Sequence, residues 1–419
     1  MTDEGDLVLV GDRGEAAATE GTVALAHAPA TVDLSPAVRT GPSKPTNATV
    51  TELPGFRLGN RPPLTGIRAL VIGSILVYHS NLANPHSDFT GLPGAWAAIS
   101  VFFVLSGFLI TSMLMAERER KGRISLRNFY TRRALRLLPP LAITIGLLSI
   151  YAAVVYVPYA HQRVWADISA AAFYYADFRS ASGHEFFLGY LGQAWSLSIE
   201  EQFYVIWAAL ILVASIFHRR IFAYALAISG IALSAAYGLW LLVHTRHFSS
   251  ALANQVYYGF APRADALFVG CVLGLVATGG HFERIGRWGR RAISVAALAS
   301  AGLLGWIVGE VSFGSKSSLL VWLPVSIVLS AILIVYFITC PRGIGSRVLG
   351  IAPLVLVGNL AYTLYLVHWP VYMALSPLTT QWSFWPLEAA RLAVVFAIAL
   401  ASWYLVERPL MNWRRRRLA

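Results

Sequence analysis

Cysteine, charge and metal-ligand spacing are all scarce in this chain. Only Cys271 and Cys340 occur among 419 residues, both in or beside apolar runs, so buried thiols are expected rather than a disulfide framework. Charged residues make up 13%, about half the share of a soluble globular domain. That excludes a solvated surface around most of the chain. No His-x-x-x-His spacing offers a metal site, no Walker or Rossmann glycine pattern follows a strand, and no Gly-x-Ser-x-Gly elbow is present. No basic stretch followed by a short apolar run opens the chain, so a secretory signal peptide is not expected.

What is abundant is apolar sequence. Hydrophobic residues reach 57% and fall into runs of about 20, the length that crosses a bilayer. Ten windows are predicted to do so: 64–82, 94–116, 134–157, 195–217, 221–243, 260–277, 292–310, 318–338, 352–374 and 388–408. The expected fold class is an all-α membrane protein with about ten transmembrane helices. Residues 1–60, rich in Ala, Thr, Gly and Pro without a sustained period, are predicted to be a disordered tail. Residues 61–412 would form the transmembrane domain and 413–419 a short basic tail.

The formal charge of +12 invites a nucleic-acid reading, but its distribution removes it. With the N-terminus inside, the inner segments 117–136, 218–220, 283–291, 341–347 and 407–417 hold 21 Lys and Arg, against 5 in the outer segments. The positive-inside rule then sets both termini in the cytoplasm. "RRRR" at 414–417 reads as an anchor near anionic headgroups. The expected partner is the lipid bilayer, with no nucleic acid.

Within the apolar windows a few polar residues stand out, and each has an ordinary alternative. "LTGIRALVIGSILVYHS" (64–80) carries Arg68 near its inner end and His79 near its outer end. Eleven residues are nearly three whole turns and about 16 Å of rise, so both side chains share one face. Arg68 alone is a snorkelling anchor and His79 alone a structural hydrogen-bonder. In phase, one cavity sees both. "FYTRRALRLLPP" (129–140) sets Arg133 and Arg136 three apart at the inner mouth of the third span, either as topology anchors or as a grip for phosphate. "AWSLSIEEQFYVIW" (194–207) puts Glu200 and Glu201 about two turns inside the fourth span, and at most one of these neighbours points into a cavity shared with His79. "AYTLYLVHWPVY" (361–372) spaces Tyr362, Tyr365 and His368 in steps of three; without the histidine the aromatics would read as packing. Arg263 and Asp265 in "PRADALFVG" sit at the outer entrance of the sixth span as a surface ion pair, bordering the acceptor side of any site. Ser106-Gly107 in "SVFFVLSGFLIT" reads as close helix packing. Basic groups therefore gather on the inner side, with histidine, carboxylate and tyrosine on the outer side.

Six stretches in order, "LTGIRALVIGSILVYHS", "VFFVLSGFLIT", "RRALRLLPP", "WSLSIEEQFY", "YLVHWPVY" and "ERPL" at 407–410, resemble the acyltransferase-3 family of polytopic membrane O-acyltransferases. The resemblance covers residues 62–412. It implies about ten helices and transfer of an acetyl or other short acyl group from acyl-CoA, acetyl-CoA first, to a hydroxyl. Family acceptors include envelope glycans, glycolipids and macrolide-type metabolites; no metal is implied. The family's arginine and histidine on the first helix fall on Arg68 and His79, its acidic motif on Glu200 and Glu201, and its basic motif on Arg133 and Arg136. Some members append an SGNH-type esterase domain; a stand-alone membrane enzyme is the expectation here. On that basis His79 is the expected general base with Glu200 or Glu201 orienting it, and Tyr365 or His368 donates to the oxyanion. Arg68, Arg133 and Arg136 would hold the donor's phosphates. The rival reading is a transporter or flippase for a glycolipid or small metabolite, in which the same residues line a path.

Overall fold

The structure, a computed structural model, describes residues 61–84, 88–155, 161–182, 189–217, 220–245 and 247–417. The tail expected over residues 1–60 and the last two residues of the basic tail lie outside the described residues. Every regular element among the described residues is helical. In hydrocarbon a helix satisfies its own backbone, whereas an open sheet edge leaves polar groups unpaired.

The helices in chain order are α1 (Pro62–Leu82), α2 (Ile99–Lys121), α3 (Leu126–Val154), α4 (His161–Ala172), α5 (Ala176–Ala181), α6 (Trp195–Ile216), α7 (Arg220–His244) and α8 (Ser250–Tyr258). They continue with α9 (Phe260–Thr278), α10 (Arg287–Glu310), α11 (Leu323–Thr339), α12 (Ile344–Leu349), α13 (Ala352–Ala374), α14 (Pro377–Thr380), α15 (Phe384–Ser402) and α16 (Arg408–Arg417). Nine stretches among the described residues are long and apolar enough to cross a membrane: 95–121, 126–154, 192–216, 220–244, 250–278, 287–310, 318–339, 352–374 and 384–413. They overlap nine of the ten expected windows. The exception is α1. Thr65, Arg68, His79, Ser80 and Asn81 dilute its apolar residues, and more than half of the helix is buried in protein. It is an inner helix, and it carries the polar residues that a lipid-facing helix avoids. At the other end of the chain, the stretch expected as a basic tail continues α16 to Arg417.

Glycines set the two crossings that organise the interior. On α2 and α9 a Cβ built on Gly107 would stand 1.9 Å from the Leu267 carbonyl oxygen, and one on Gly270 would stand 2.1 Å from that of Val104. Ser106-Gly107 is thus a close-packing site, the small-residue contact that lets membrane helices touch backbone to backbone. Gly→Ala normally stabilises a helix interior by roughly 1 kcal/mol. Here Gly270→Ala is expected to lower the thermal midpoint in detergent, because overpacking costs about 1–3 kcal/mol. Gly302→Ala on α10, where a Cβ meets nothing within 4 Å, serves as the control and should be neutral or stabilising. A Gly270→Ala protein as stable as the parent would contradict this account.

The second crossing pairs α1 with α13. A Cβ on Gly358 would stand 2.0 Å from the Thr65 carbonyl oxygen, and beside it one on Gly66 would stand 1.8 Å from that of Leu349, the last residue of α12 just before α13. With Thr65 beside Gly358 at one end and His79 beside His368 at the other, the two helices run in the same direction. Arg68 and His79 therefore lie at opposite ends of one packed seam.

Candidate active site

His79 and His368 meet at the end of that seam far from Arg68. Their Nδ1 and Nε2 atoms are 2.7 Å apart, and the rings are nearly parallel at 6°, with centroids 5.0 Å apart. His368 Nδ1 lies 3.0 Å from the Leu364 carbonyl oxygen one turn back on α13. A carbonyl only accepts, so His368 Nδ1 carries a proton and, in the neutral ring, His368 Nε2 is the acceptor. His79 Nδ1 then donates to it, and His79 Nε2 is left with a lone pair. That nitrogen makes no hydrogen bond among the described residues.

His79 lines a cavity of about 40 Å³ walled by Ile75, Trp96, Ile99, Trp195, Tyr257, Phe313 and neighbouring side chains. Tyr365 lines it too. Its hydroxyl donates to the Gln193 carbonyl at 2.7 Å and is 2.7 Å from Ser196 Oγ, which completes the pair as donor. Gln193 Nε2 in turn donates to the Leu366 carbonyl at 2.9 Å. The start of α6 is thereby fastened to α13, and the Tyr365 hydroxyl is held beside the cavity with its proton already committed. This weakens Tyr365 as an oxyanion donor and makes it a wall with a fixed polar edge.

The carboxylate expected beside His79 is not there among the described residues; the second histidine occupies that ring nitrogen. Glu200 lies one turn beyond Ser196 on α6, away from the histidines. It accepts from the Tyr204 hydroxyl at 3.1 Å and lies against the Ser106 hydroxyl. Glu201 accepts from Arg133 Nη2 at 2.5 Å, and the Arg133 guanidinium lies 3.6 Å over the Tyr204 ring. Both glutamates thus belong with the arginines, because the tilt and depth of α6 put them there.

Three arginines share this layer in different states. Arg133 is committed to Glu201 and Tyr204. Arg68 stands 6.0 Å from the Phe102 ring centroid, near Arg136, Glu200 and Tyr204, and has no hydrogen-bond or ion-pair partner among the described residues. Arg136 is exposed, with Arg133, Tyr204, Tyr362 and the buried Glu407 near it. It too has no such partner among the described residues. Two neighbouring cations without a bridging carboxylate form a site for an anion.

Arg263 corrects another expectation. It forms no surface pair with Asp265: the side chain is 0% exposed, and Nε, Nη1 and Nη2 have no hydrogen-bond partner among the described residues. Its guanidinium lies 5.1 Å from the Phe103 ring and 5.2 Å from the Tyr257 ring. Asp265 Oδ1 accepts instead from the Ala266 amide at 2.7 Å. The kink at Gly259 between α8 and α9 turns Arg263 inward, behind the aromatic wall of the cavity. Tyr362, in step with Tyr365 and His368, donates to the Leu137 carbonyl at 3.1 Å and sits in the arginine layer. Sequence reasoning missed Gln193, Ser196, Tyr204, Glu388 and Arg391. For Glu388 and Arg391 the signal was a charged pair opening an otherwise apolar window.

The sequence model of an acyltransferase-domain family matches residues 63–408, most of the chain. The chain is 28% identical over 365 residues to the peptidoglycan O-acetyltransferase OatA of Listeria monocytogenes, covering 83% of this chain and 55% of that protein. It is 27% identical to the O-acetyltransferase OatA of Staphylococcus aureus, covering 76% and 52%. The putative peptidoglycan O-acetyltransferase YrhL of Bacillus subtilis is 27% identical, with 83% and 54% covered. The chain spans about half the length of these relatives. No solved structure matches it. With the six stretches, the helical bundle and the family match all on one segment, the chain belongs to the acyltransferase-3 family.

Proposed function

We propose that this protein transfers an acetyl group from acetyl-CoA to a hydroxyl of a cell-envelope glycan. The observation that carries the reading is the histidine pair. His79 Nε2, with a lone pair and no partner among the described residues, lines a small cavity, while the other ring nitrogen is fixed by His368. A general base has to be available on one side and oriented on the other.

The steps follow from the residues. Arg68 and Arg136 hold the donor's phosphates; Arg133, paired to Glu201, shapes the arginine layer rather than gripping the donor. The pantetheine arm follows α1 over roughly 16 Å and delivers the thioester to the cavity. His79 Nε2 takes the acceptor's hydroxyl proton as its oxygen bonds to the thioester carbon. On collapse the carbon–sulfur bond breaks and the proton passes to the leaving thiolate, giving ester and CoA. His368 does not pass the proton onward, since its own Nδ1–H ends on a carbonyl. A cavity of about 40 Å³ has room for about three water-sized groups, which suits an acetyl group and excludes a sugar ring. The acceptor thus reaches the mouth of the cavity with one hydroxyl. The charge bias of the connections supports a cytoplasmic Arg68 end, cytoplasmic termini and an outward-facing His79 end. The names of the relatives support peptidoglycan as the glycan.

The test is to incubate the protein in proteoliposomes with carbon-14 acetyl-CoA and peptidoglycan glycan strands. Base-labile label on the glycan is expected, together with poor use of butyryl-CoA. Movement of a glycolipid across the membrane without label transfer would instead establish the transporter reading.

A further inference from the structure

A carboxylate on a third helix reaches both halves of the histidine seam. Glu388, at the start of the second turn of α15, accepts from Ser80 Oγ at 2.6 Å through Oε2 and from the Tyr372 hydroxyl at 2.8 Å through Oε1. Ser80 immediately follows His79 on α1. Tyr372 is one turn beyond His368 on α13, and its ring stands edge-on to the His368 ring at 5.9 Å. One side chain thus ties together the two neighbours of the two histidines. Neither the family match nor the proposed chemistry calls for a carboxylate here, since it touches neither imidazole ring nitrogen.

The clasp is itself held. Arg391, fully buried, donates through Nε to the Leu375 carbonyl at 2.7 Å and through Nη2 to the Tyr372 carbonyl at 3.1 Å, taking up carbonyls that the end of α13 leaves unpaired. Its guanidinium lies 4.9 Å from the Tyr372 ring, and Nη1 stands 3.5 Å from Glu388 Oε2. A half-buried carboxylate beside a buried guanidinium is costly unless each is paired and hydrogen-bonded, and here both are. A purely structural tie between α13 and α15 needs Arg391 and the two carbonyls. It does not need Ser80, and it does not need both oxygens of Glu388 to point at the seam.

We propose that Glu388 is a positioning residue for the histidine pair, holding α1 to α13 at the one turn where His79 must meet His368. The inference rests on the reading of His79 as the base. It predicts that removing Glu388 slows the chemical step through the pair rather than weakening binding or folding.

The experiment compares Glu388→Ala, Glu388→Gln, His368→Ala and the Glu388→Ala/His368→Ala double variant, using the full chain in nanodiscs with acetyl-CoA and peptidoglycan glycan strands as probes. Thermal midpoints are read alongside, and rates are expressed per folded protein. Glu388→Ala is expected to lose kcat by about 30-fold with donor KM within about threefold, and Glu388→Gln, which still accepts from Ser80, to recover most of it. Residues acting through one another are non-additive, so the double variant should be no slower than His368→Ala by more than about twofold. Multiplied losses in the double variant, or a lower thermal midpoint with kcat unchanged, would overturn the proposal. His79→Ala in the same assay separates the two readings. Activity retained there removes the base and the clasp together, whereas an inactive His79→Ala with multiplied losses removes only the clasp.

Discussion

His79→Ala is expected to lower acyl transfer by about 10³-fold at saturating donor and acceptor, within the range that a positioned general base contributes. The expectation follows from hydrogen-bond accounting. His368 Nδ1 is pinned as a donor by the Leu364 carbonyl, so His368 Nε2 accepts and His79 Nε2 is basic. The same accounting ranks the variants. His368→Ala takes away the acceptor that fixes the ring and tautomer of His79 but leaves the base in place, so a loss of about 10- to 100-fold is expected. His368→Gln, whose side-chain oxygen accepts a hydrogen bond, should fall between His368→Ala and the parent. The measurement is kcat on purified protein whose thermal midpoint shows it folded. If His79→Ala kept a tenth or more of the parent rate, the base would lie elsewhere. If His368→Gln were no better than His368→Ala, the accepting role of His368 would be wrong.

How much of this was legible in the sequence depends on whether a relation lies within one helix or between two. The shared face of Arg68 and His79 follows from eleven residues at 3.6 per turn, and α1 holds them at opposite ends of its seam with α13. The spacing of Tyr365 and His368 was equally readable. The identity of His79's partner was not. Glu200 or Glu201 was the expected partner, and the histidine that stands there instead is brought by the direction of α13 beside α1, where Gly358 packs against the Thr65 backbone. A glycine in an apolar run signals close approach without naming the other helix. Arg263 was misjudged because the break at Gly259 was not foreseen, and a surface position became a buried one. Glu388 stood at the first residue of a predicted span, where a charge reads as an interface anchor; only the neighbouring helices reveal Ser80 and Tyr372 as its ligands. That α1 is enclosed by other helices had the same origin, since hydropathy does not say which helices surround a span.

Arg68→Ala is expected to raise the KM for acetyl-CoA by about 10- to 100-fold with kcat changed little. A charge-assisted hydrogen bond is worth about 1.5–3 kcal/mol, and each 1.4 kcal/mol is a factor of ten in affinity. A raised KM alone would not distinguish lost phosphate contacts from a disturbed α1, so the informative measurement uses two donors. Acetyl-pantetheine carries the same thioester and arm as acetyl-CoA but none of the nucleotide phosphates. The parent should strongly prefer acetyl-CoA, and Arg68→Ala should lose most of that preference while using acetyl-pantetheine as well as the parent does. Arg136→Ala should behave the same way, since both guanidinium groups lack partners among the described residues. Arg133→Ala should not: it strips Glu201 of its counter-charge and leaves a half-buried carboxylate unpaired, which is destabilising and affects both donors alike. An equal loss with the two donors in Arg68→Ala would remove the phosphate-holding role and return that arginine to the part of an anchor. The contrast among the three arginines comes from their partners, not their spacing. Where a guanidinium is already matched by a carboxylate it shapes the site, and where it is not, the matching anion has to arrive with the substrate.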